Sequence, residues 1–382
     1  MGKRTRNLVL LFLVLIIFSP LFIWGYVEYY LYKIGEVDQV DRILDAIENE
    51  EEQYTFNEWN SSSPYVKFHL LKKLKPEVVV FGSPRFNQFR REMFQPYSFY
   101  NAGMLAPKLN AAEGLLLSLP KEALPKVLFV LVDPYMFRDA PNNHPVDYNA
   151  IVYPVTTKKV YKKLFAFWKD NPGSIWWIFD KDAGSKYLGL RAYRSKRGVR
   201  SIDGSVSYLD LHNRDYKTQV RDEINRGKTA LRAIKAKGIL KGYESPMLES
   251  AFNDWDKVCK AGDKVGTTVI GIGLPFSQAY IDIMEADTVK YKLWKEFQDP
   301  KNVARLNESG YFFNCTKFEY VGGNKYMMMD NVHCTEAISA LSLAKALDHP
   351  GVKEVLPELN PEFLRSRVKA HSDNPAGIMF PN

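Results

Sequence analysis

A serine after a short apolar run and an aspartate–histidine pair near the C-terminus are the residues best placed for chemistry in this 382-residue chain. Ser83 follows the run at 78–81 and Gly82, which permits a tight turn into a helix. A helix N-terminus has free N–H groups that favour negative charge, which suits a nucleophile whose reaction generates an oxyanion. A second interpretation stays open, in which Ser83 is only the N-cap of that helix.

Asp330 and His333 are three positions apart, just before the last Ala- and Leu-rich helix. At this spacing the carboxylate can hydrogen-bond the imidazole, fix its tautomer and stabilise its protonated form. Histidine is the side chain best suited to proton transfer near neutral pH. The pair therefore predicts a general base, with an ordinary solvated loop histidine as the alternative.

Composition argues against several functional classes. With 46% hydrophobic and 25% charged residues, the chain is in the ordinary globular range. Cys259, Cys315 and Cys334 are too few for a disulfide framework and lack metal-ligand spacing, so we predict no metal and no cofactor, and leave one disulfide or none open. Residues 158–237 hold 20 Lys or Arg against 8 Asp or Glu, which fits an anionic partner or a solvated helical face. No zinc, RNA-recognition or helix-turn-helix signature is present, so nucleic acid is not expected as a partner.

The N-terminal residues are typical of a membrane anchor. Lys3, Arg4 and Arg6 precede an apolar run from residue 8 to about 26, which approaches the ~20 residues that cross a bilayer. The basic flank predicts a cytoplasmic N-terminus. A cleaved signal peptide is the alternative, but no Ala-x-Ala site follows the run. We therefore expect a single-pass membrane protein.

The expected domain organisation follows from that anchor. Residues 1–30 form the basic flank and the transmembrane helix, and residues 31–62 form a stalk or linker. Residues 63–382 form one extracytoplasmic domain, periplasmic or extracellular, with an aromatic and basic insertion at about 140–240.

Short apolar runs predict the sheet that positions the candidate residues. The runs at 78–81, 127–132 and 267–272 are typical of parallel strands buried on both faces. Weaker patterns predict strands at 98–100 and 311–313 and helices at 277–298 and 336–347. This alternation indicates an α/β fold with a doubly wound parallel sheet, in a flavodoxin-like three-layer arrangement. Ligands of such sheets bind at the carboxyl ends of the strands.

Taken in order, these segments resemble the SGNH (GDSL-type) hydrolase superfamily, and above all its membrane-anchored branch, which includes the lipoteichoic-acid D-alanylation and alginate O-acetylation proteins. The resemblance rests on VVVFGSPRFNQFRREMF (78–94), FYNAG (99–103), VLFVLVDPYMF (127–137), DGS (203–205), VIGIGLPFS (269–277) and MDNVHCTE (329–336). It implies an SGNH-hydrolase-like fold, catalytic roles for Asp330 and His333, and an oxyanion-binding backbone N–H at Gly103. The predicted oxyanion- and substrate-binding residues are Gly82, Arg85, Asn101 and Gly103. The implied partners are a membrane-bound O-acyltransferase-type protein, a cell-surface polysaccharide and the membrane.

Two positions depart from the family pattern. Pro84 occupies the place of the nucleophilic serine, and Asp133-Pro134 stands where the family has an oxyanion-binding asparagine. Either Ser83 takes over as nucleophile, in an acyltransferase or esterase that handles O-acetyl groups on polysaccharide, or the domain is an inactive SGNH-like pseudoenzyme. Such a pseudoenzyme would scaffold an acyl-transfer complex or bind glycan.

Overall fold

A computed structural model describes residues 3–37, 39–59, 63–105, 108–138, 145–152, 158–208, 216–237, 240–374, 377 and 379–380. Its strands, in chain order, are β1 (Tyr54–Thr55), β2 (Val78–Gly82), β3 (Phe99–Gly103), β4 (Val127–Leu131), β5 (Tyr187–Leu188), β6 (Gly198–Arg200), β7 (Val206–Ser207), β8 (Thr268–Gly273) and β9 (Tyr311–Asn314). Its α-helices are α1 (Lys3–Lys33), α2 (Gln39–Glu48), α3 (Ser63–Leu74), α4 (Leu109–Ser118), α5 (Lys158–Asp170), α6 (Leu190–Ser195), α7 (Tyr216–Lys237), α8 (Glu249–Val265), α9 (Gln278–Ala286), α10 (Lys292–Phe297), α11 (Pro300–Ser309), α12 (Glu336–Leu347), α13 (Pro350–Val355) and α14 (Pro361–Ala370).

The chain divides into two compact units. Unit 1 combines Met1–Ser62 with Tyr153–Ile202, and unit 2 combines Ser63–Val152 with Asp203–Asn382. Each unit is therefore built from two separate stretches of the sequence.

Unit 2 contains a five-stranded sheet in the order β3-β2-β4-β8-β9, and every neighbouring pair is parallel. Numbered within the sheet, this order is 2-1-3-4-5, the doubly wound arrangement in which ligands bind where the strand order reverses. That reversal lies between β2 and β4, so the residues after these two strands, Ser83 and Asp133, flank it. This sheet confirms the parallel sheet that the apolar runs predicted.

The sheet forms because its strands are apolar at consecutive positions. Every residue of β2, β3 and β4 is buried, and since successive side chains point to opposite faces, both faces of the sheet are covered. Helix α8 packs against α4 and β8, and α12 packs against α14 and β9. Helix α12 buries nearly all of its side chains, as expected from its Ala- and Leu-rich sequence, and it begins three residues after His333.

Unit 1 is smaller and pairs its short strands in a different way. Strand β1 is parallel to β5 and antiparallel to β6. Helix α5 buries Val160, Leu164 and Trp168 at four-residue spacing, while its lysines lie on the other face, so this part of the basic stretch is a solvated helical face. The last turns of α1 pack into the same hydrophobic cluster.

The predicted N-terminal transmembrane helix is wrong. None of the helices formed by the described residues combines the length and the apolarity needed to cross a membrane. Beyond the apolar run, the last turns of α1 pack within unit 1, where Val27, Tyr30 and Leu31 are buried in one hydrophobic cluster with side chains of α5. Tyr30 Oη also donates to the Ser174 carbonyl at 3.1 Å. The predicted localisation as a single-pass membrane protein is wrong too, because none of the described helices could span a membrane.

The sequence left open whether a disulfide forms. All three cysteines, Cys259, Cys315 and Cys334, are free and buried. Some element boundaries also differ from the sequence-based expectation. Strand β3 runs from Phe99 to Gly103 rather than over 98–100, and the helix expected at 277–298 is two helices, α9 and α10.

Candidate active site

Asp330 and His333 form a hydrogen-bonded pair in the turn that precedes α12. His333 Nδ1 lies 2.8 Å from Asp330 Oδ2, and Asp330 Oδ1 accepts the backbone N–H groups of Val332 and His333 at 2.7 and 2.8 Å. These bonds fix the turn and orient the imidazole. The His333 side chain is 28% exposed, and no described residue hydrogen-bonds its Nε2 atom. Nε2 is therefore the nitrogen available for proton transfer.

The Asp330 carboxylate is held in its charged form. Desolvation opposes ionisation, but the hydrogen bond and charge of His333, together with the two backbone N–H groups, lower the pKa of Asp330 to about 2. An ionised carboxylate on Nδ1 stabilises the imidazolium that forms when Nε2 accepts a proton. The pair thus has the geometry and the charge of a general base with its orienting carboxylate.

Ser83 lies at the end of β2, where it caps a single 3-10 turn, Pro84–Phe86. Its Oγ accepts the Arg85 N–H at 3.3 Å, and its side chain is buried. Tyr135 is a neighbour of Ser83. Burial raises the pKa of Tyr135, and the Ser83 hydroxyl partly offsets this rise. Across the described parts of the chain, no hydrogen bond joins Ser83 to His333. Capping uses an acceptor lone pair, so the hydroxyl proton remains available for donation.

The helix expected after Gly82 is only this 3-10 turn, because Pro84 starts it and Asn87 already ends it. One turn gives a small dipole, so the predicted N-terminal anion site at Gly82 is weaker than the sequence indicated. Gly82 itself has a φ of 150°. A Cβ at this position would lie only 2.6 Å from Leu131 Cβ, so a side chain does not fit and the position requires glycine.

Arg85 was predicted to bind substrate, but the structure uses its guanidinium internally. Nε donates to the Val332 carbonyl at 2.8 Å, and Nη2 donates to the carbonyls of Leu274 and Pro275 at 2.8 and 2.6 Å. Nη1 forms an ion pair with Asp133. The Arg85 side chain is 5% exposed, so it links the Ser83 turn to the His333 turn from below the surface.

Asn101 and Gly103 lie inside β3 rather than after it. Asn101 Nδ2 donates to the Phe86 and Phe89 carbonyls at 2.8 and 3.0 Å, and Asn101 Oδ1 accepts the Gly103 N–H at 2.9 Å. Asn101 therefore fixes the polypeptide that follows Ser83. The N–H group predicted to bind an oxyanion is occupied by Asn101 in this structure.

Sequence reasoning missed three buried polar groups at the same edge of the sheet. Lys67 Nζ donates to the carbonyls of Asn101, Gly103 and Gly204 at 2.9, 2.6 and 2.8 Å. Burial lowers the pKa of Lys67 to about 7, and the nearby carboxylate of Asp203 opposes this shift. A lysine within an amphipathic helix gives no sequence signal for such a position.

Asn87 was also missed, and so was the ion pair made by Asp133, a residue that the sequence did place at the end of the second strand. Asn87 is 1% exposed, and neither atom of its amide has a hydrogen-bond partner among the described residues. A Cβ on Gly103 would lie 2.8 Å from Asn87 Oδ1, so this amide is directly beside β3. Asp133, which was noted only as a departure from the family pattern, is the ion-pair partner of Arg85.

No group of three or more His, Cys, Asp or Glu side chains in the described ranges could hold a metal ion. The chain matches no protein-family model, and no curated protein matches it significantly. The geometry of the site provides a histidine with an ionised orienting carboxylate, a neighbouring turn that carries a serine, and a buried arginine between the two turns.

Proposed function

We propose that this protein is an SGNH-like acyltransferase or esterase that acts on O-acyl groups, most simply acetyl, of a polysaccharide. The observation that carries the proposal is the Asp330–His333 pair at the carboxyl edge of the parallel sheet, with Nε2 left available for proton transfer. The turn that carries Ser83 is tied to the His333 turn through Arg85 and Val332. A base and a hydroxyl nucleophile on adjoining turns are the minimum that acyl transfer requires.

In the proposed reaction, Ser83 Oγ attacks the acyl carbonyl while His333 Nε2 takes up the hydroxyl proton. The tetrahedral intermediate then collapses, and His333 returns the proton to the departing oxygen, leaving an acyl-serine. A sugar hydroxyl, or water in an esterase, next attacks the acyl-serine with His333 again acting as the base. Asp330 stays ionised throughout and stabilises the imidazolium.

This mechanism requires two local rearrangements. The Ser83 hydroxyl has to turn its proton towards His333 while it keeps its place at the 3-10 turn. The proposed oxyanion role of Gly103 requires its N–H to exchange the Asn101 oxygen for the oxyanion. Hydrogen bonds of this kind are often loose before substrate binds and tighten in the complex. The predicted partners enter as the acyl donor, a membrane-bound O-acyltransferase-type protein, and the acceptor polysaccharide.

Hydrolysis of p-nitrophenyl acetate tests the proposal. We expect a burst of p-nitrophenol from the wild-type protein, and loss of the burst in Ser83→Ala and in His333→Gln. Ser98→Ala is the matched serine control, because Ser98 hydrogen-bonds Glu77 before the start of β3, at the opposite edge of the sheet. His371→Gln is the histidine control. Equal hydrolysis by Ser83→Ala and the wild-type protein would rule the proposal out.

A second candidate function is that of a glycan-binding pseudoenzyme. It is favoured by Pro84 at the family's nucleophile position and by Ser83 Oγ serving as a cap. It is also favoured by Trp176 and Phe179 in unit 1, which are 64% and 74% exposed and stack at 6.1 Å between ring centroids. Flat exposed rings of this kind offer apolar faces to a partner.

Pro84→Ser separates the two functions, since a gain of esterase activity absent from the wild-type protein would favour the pseudoenzyme. Trp176→Ala should then weaken binding of acetylated polysaccharide. Trp255→Phe, at a fully buried indole, provides the control in which binding is retained.

A further inference from the structure

The Arg85 guanidinium contacts four segments of unit 2 that are distant in sequence. It belongs to the turn after β2, it pairs with Asp133 after β4, it donates to two carbonyls after β8, and it donates to the Val332 carbonyl in the His333 turn. The ring of Phe276 lies against its face, 4.1 Å from the guanidinium carbon. No other described side chain joins this set of segments by hydrogen bonds.

The pair that Arg85 forms with Asp133 is completely enclosed. The two side chains are 5% and 0% exposed. Burial works against the charge of Arg85, but the neighbouring carboxylate outweighs it and raises the pKa of Arg85. Removing two charges from water is costly unless they pair and their remaining polar atoms find partners. Nε and Nη2 of Arg85 donate to backbone carbonyls, and Nη1 lies in the ion pair with Asp133.

We propose that Arg85 is a positioning residue for the proton-transfer pair, and that Asp133 holds Arg85 in place. By fixing the Val332 carbonyl, Arg85 sets where the next residue, His333, presents its imidazole relative to the Ser83 turn. The planar fork of arginine is needed here, since a lysine ammonium is a compact point charge and cannot match acceptors on three separate segments in this fixed geometry. The catalytic consequence rests on the proposed acyl-transfer function, whereas the positional effect does not.

A second attachment of the same turn provides a comparison. Ser277 donates its N–H to the Asn331 carbonyl and its Oγ–H to Asn331 Oδ1, both at 3.0 Å. These bonds hold the turn at Asn331, two residues before His333. Ser277→Ala removes one of them and leaves the Arg85 contact to Val332 intact. We expect it to change His333 much less than a change at Arg85.

The decisive measurement is the NMR signal of the His333 ring. In the wild-type protein we expect the Nδ1 proton, hydrogen-bonded to Asp330, to give a downfield resonance, assigned by its absence in His333→Gln. We expect this resonance to be lost in Arg85→Met and Arg85→Lys. Arg200→Met is the matched control, because Arg200 in unit 1 is equally buried and paired with Glu52. The control should keep the resonance.

The double variant Arg85→Met/Asp133→Leu removes both charges, so it guards against a loss of the resonance that comes only from misfolding of a single variant. It should fold and still lack the resonance. A retained resonance in any folded Arg85 variant would overturn the proposal.

Activity distinguishes the two hypotheses. If the protein is an esterase, Arg85→Lys should lower kcat by about a hundredfold and leave KM nearly unchanged, as expected for a misplaced base. Loss of the resonance in Arg85→Lys without any wild-type esterase activity would support positioning and reject the proposed function. Unaltered kcat and an unaltered resonance in an active protein would reject positioning and keep the function.

Discussion

The losses of unfolding free energy caused by removing Arg85 and Asp133 one at a time should together exceed the loss caused by removing both. Arg85→Met leaves the Asp133 carboxylate buried without its counter-charge, at a cost of about 3 kcal/mol or more. It also leaves the carbonyls of Val332, Leu274 and Pro275 without a donor, at about 1 kcal/mol each. Asp133→Leu leaves a buried guanidinium unpaired, again at about 3 kcal/mol.

The double variant contains neither unpaired charge and keeps only the cost of the carbonyls. Adding Asp133→Leu to Arg85→Met should therefore raise the free energy of unfolding by about 3 kcal/mol, although Asp133→Leu alone lowers it. The pH dependence gives an independent check. Burial raises the pKa of Asp133, and Arg85 opposes this. In Arg85→Met the folded state therefore binds the Asp133 proton more tightly than the unfolded state, and stability should fall as the pH rises above about 4.

Native-state hydrogen exchange of the β4 amides, Val127–Leu131, is the suitable assay because these amides lie in the core of unit 2 and report its opening. The exposed pair Lys260–Asp256 serves as the control cycle, and its coupling should be close to zero because water screens it. A double variant less stable than Arg85→Met, with the two single effects adding, would refute the reasoning about the buried charges.

Three further predictions concern the surroundings of the same edge. Asp330, with a pKa of about 2 instead of 3.8, contributes stability that is lost as the pH falls through that window, so Asp330→Asn should show a flatter decline in urea midpoint below pH 3.8. Lys67→Met should lower the free energy of unfolding by about 3 kcal/mol in urea titration, since three backbone carbonyls lose their donor. A gentle effect, comparable to that of Lys72→Met on the same helix, would contradict this. Asn87→Leu should leave stability unchanged or raise it by about 1 kcal/mol, because the buried amide has no described partner to lose; a large loss of thermal stability would show that it has one.

The sequence was informative where burial or a contact follows from neighbouring residues. Consecutive apolar residues predicted β2 and β4 because strands covered on both faces need no polar alternation. The spacing of Asp330 and His333 predicted their contact because three residues in a turn bring the side chains together. Helix α12 was expected over the residues it occupies, 336–347.

The sequence was uninformative where a partner lies far along the chain. Arg85 and Asp133 follow two neighbouring strands, β2 and β4, and contact each other there. Nothing in the sequence near either residue indicates the other as its partner. The N-terminal apolar run predicted a membrane span that no described helix provides, and the sequence did not indicate that the last turns of α1 pack within unit 1. The pairing of Val27 and Leu31 with α5 depends on a segment more than a hundred residues later.

The central claim, that Ser83 forms an acyl intermediate with His333 as its base, is tested most directly by mass spectrometry. The wild-type protein would be incubated with p-nitrophenyl acetate, quenched in acid and digested, alongside His333→Gln and the Ser98→Ala control. We predict one added acetyl group on the peptide containing Ser83 in the wild-type protein and in Ser98→Ala, and none in His333→Gln. An unmodified Ser83 in the wild-type protein, or equal acetylation without His333, would contradict the account.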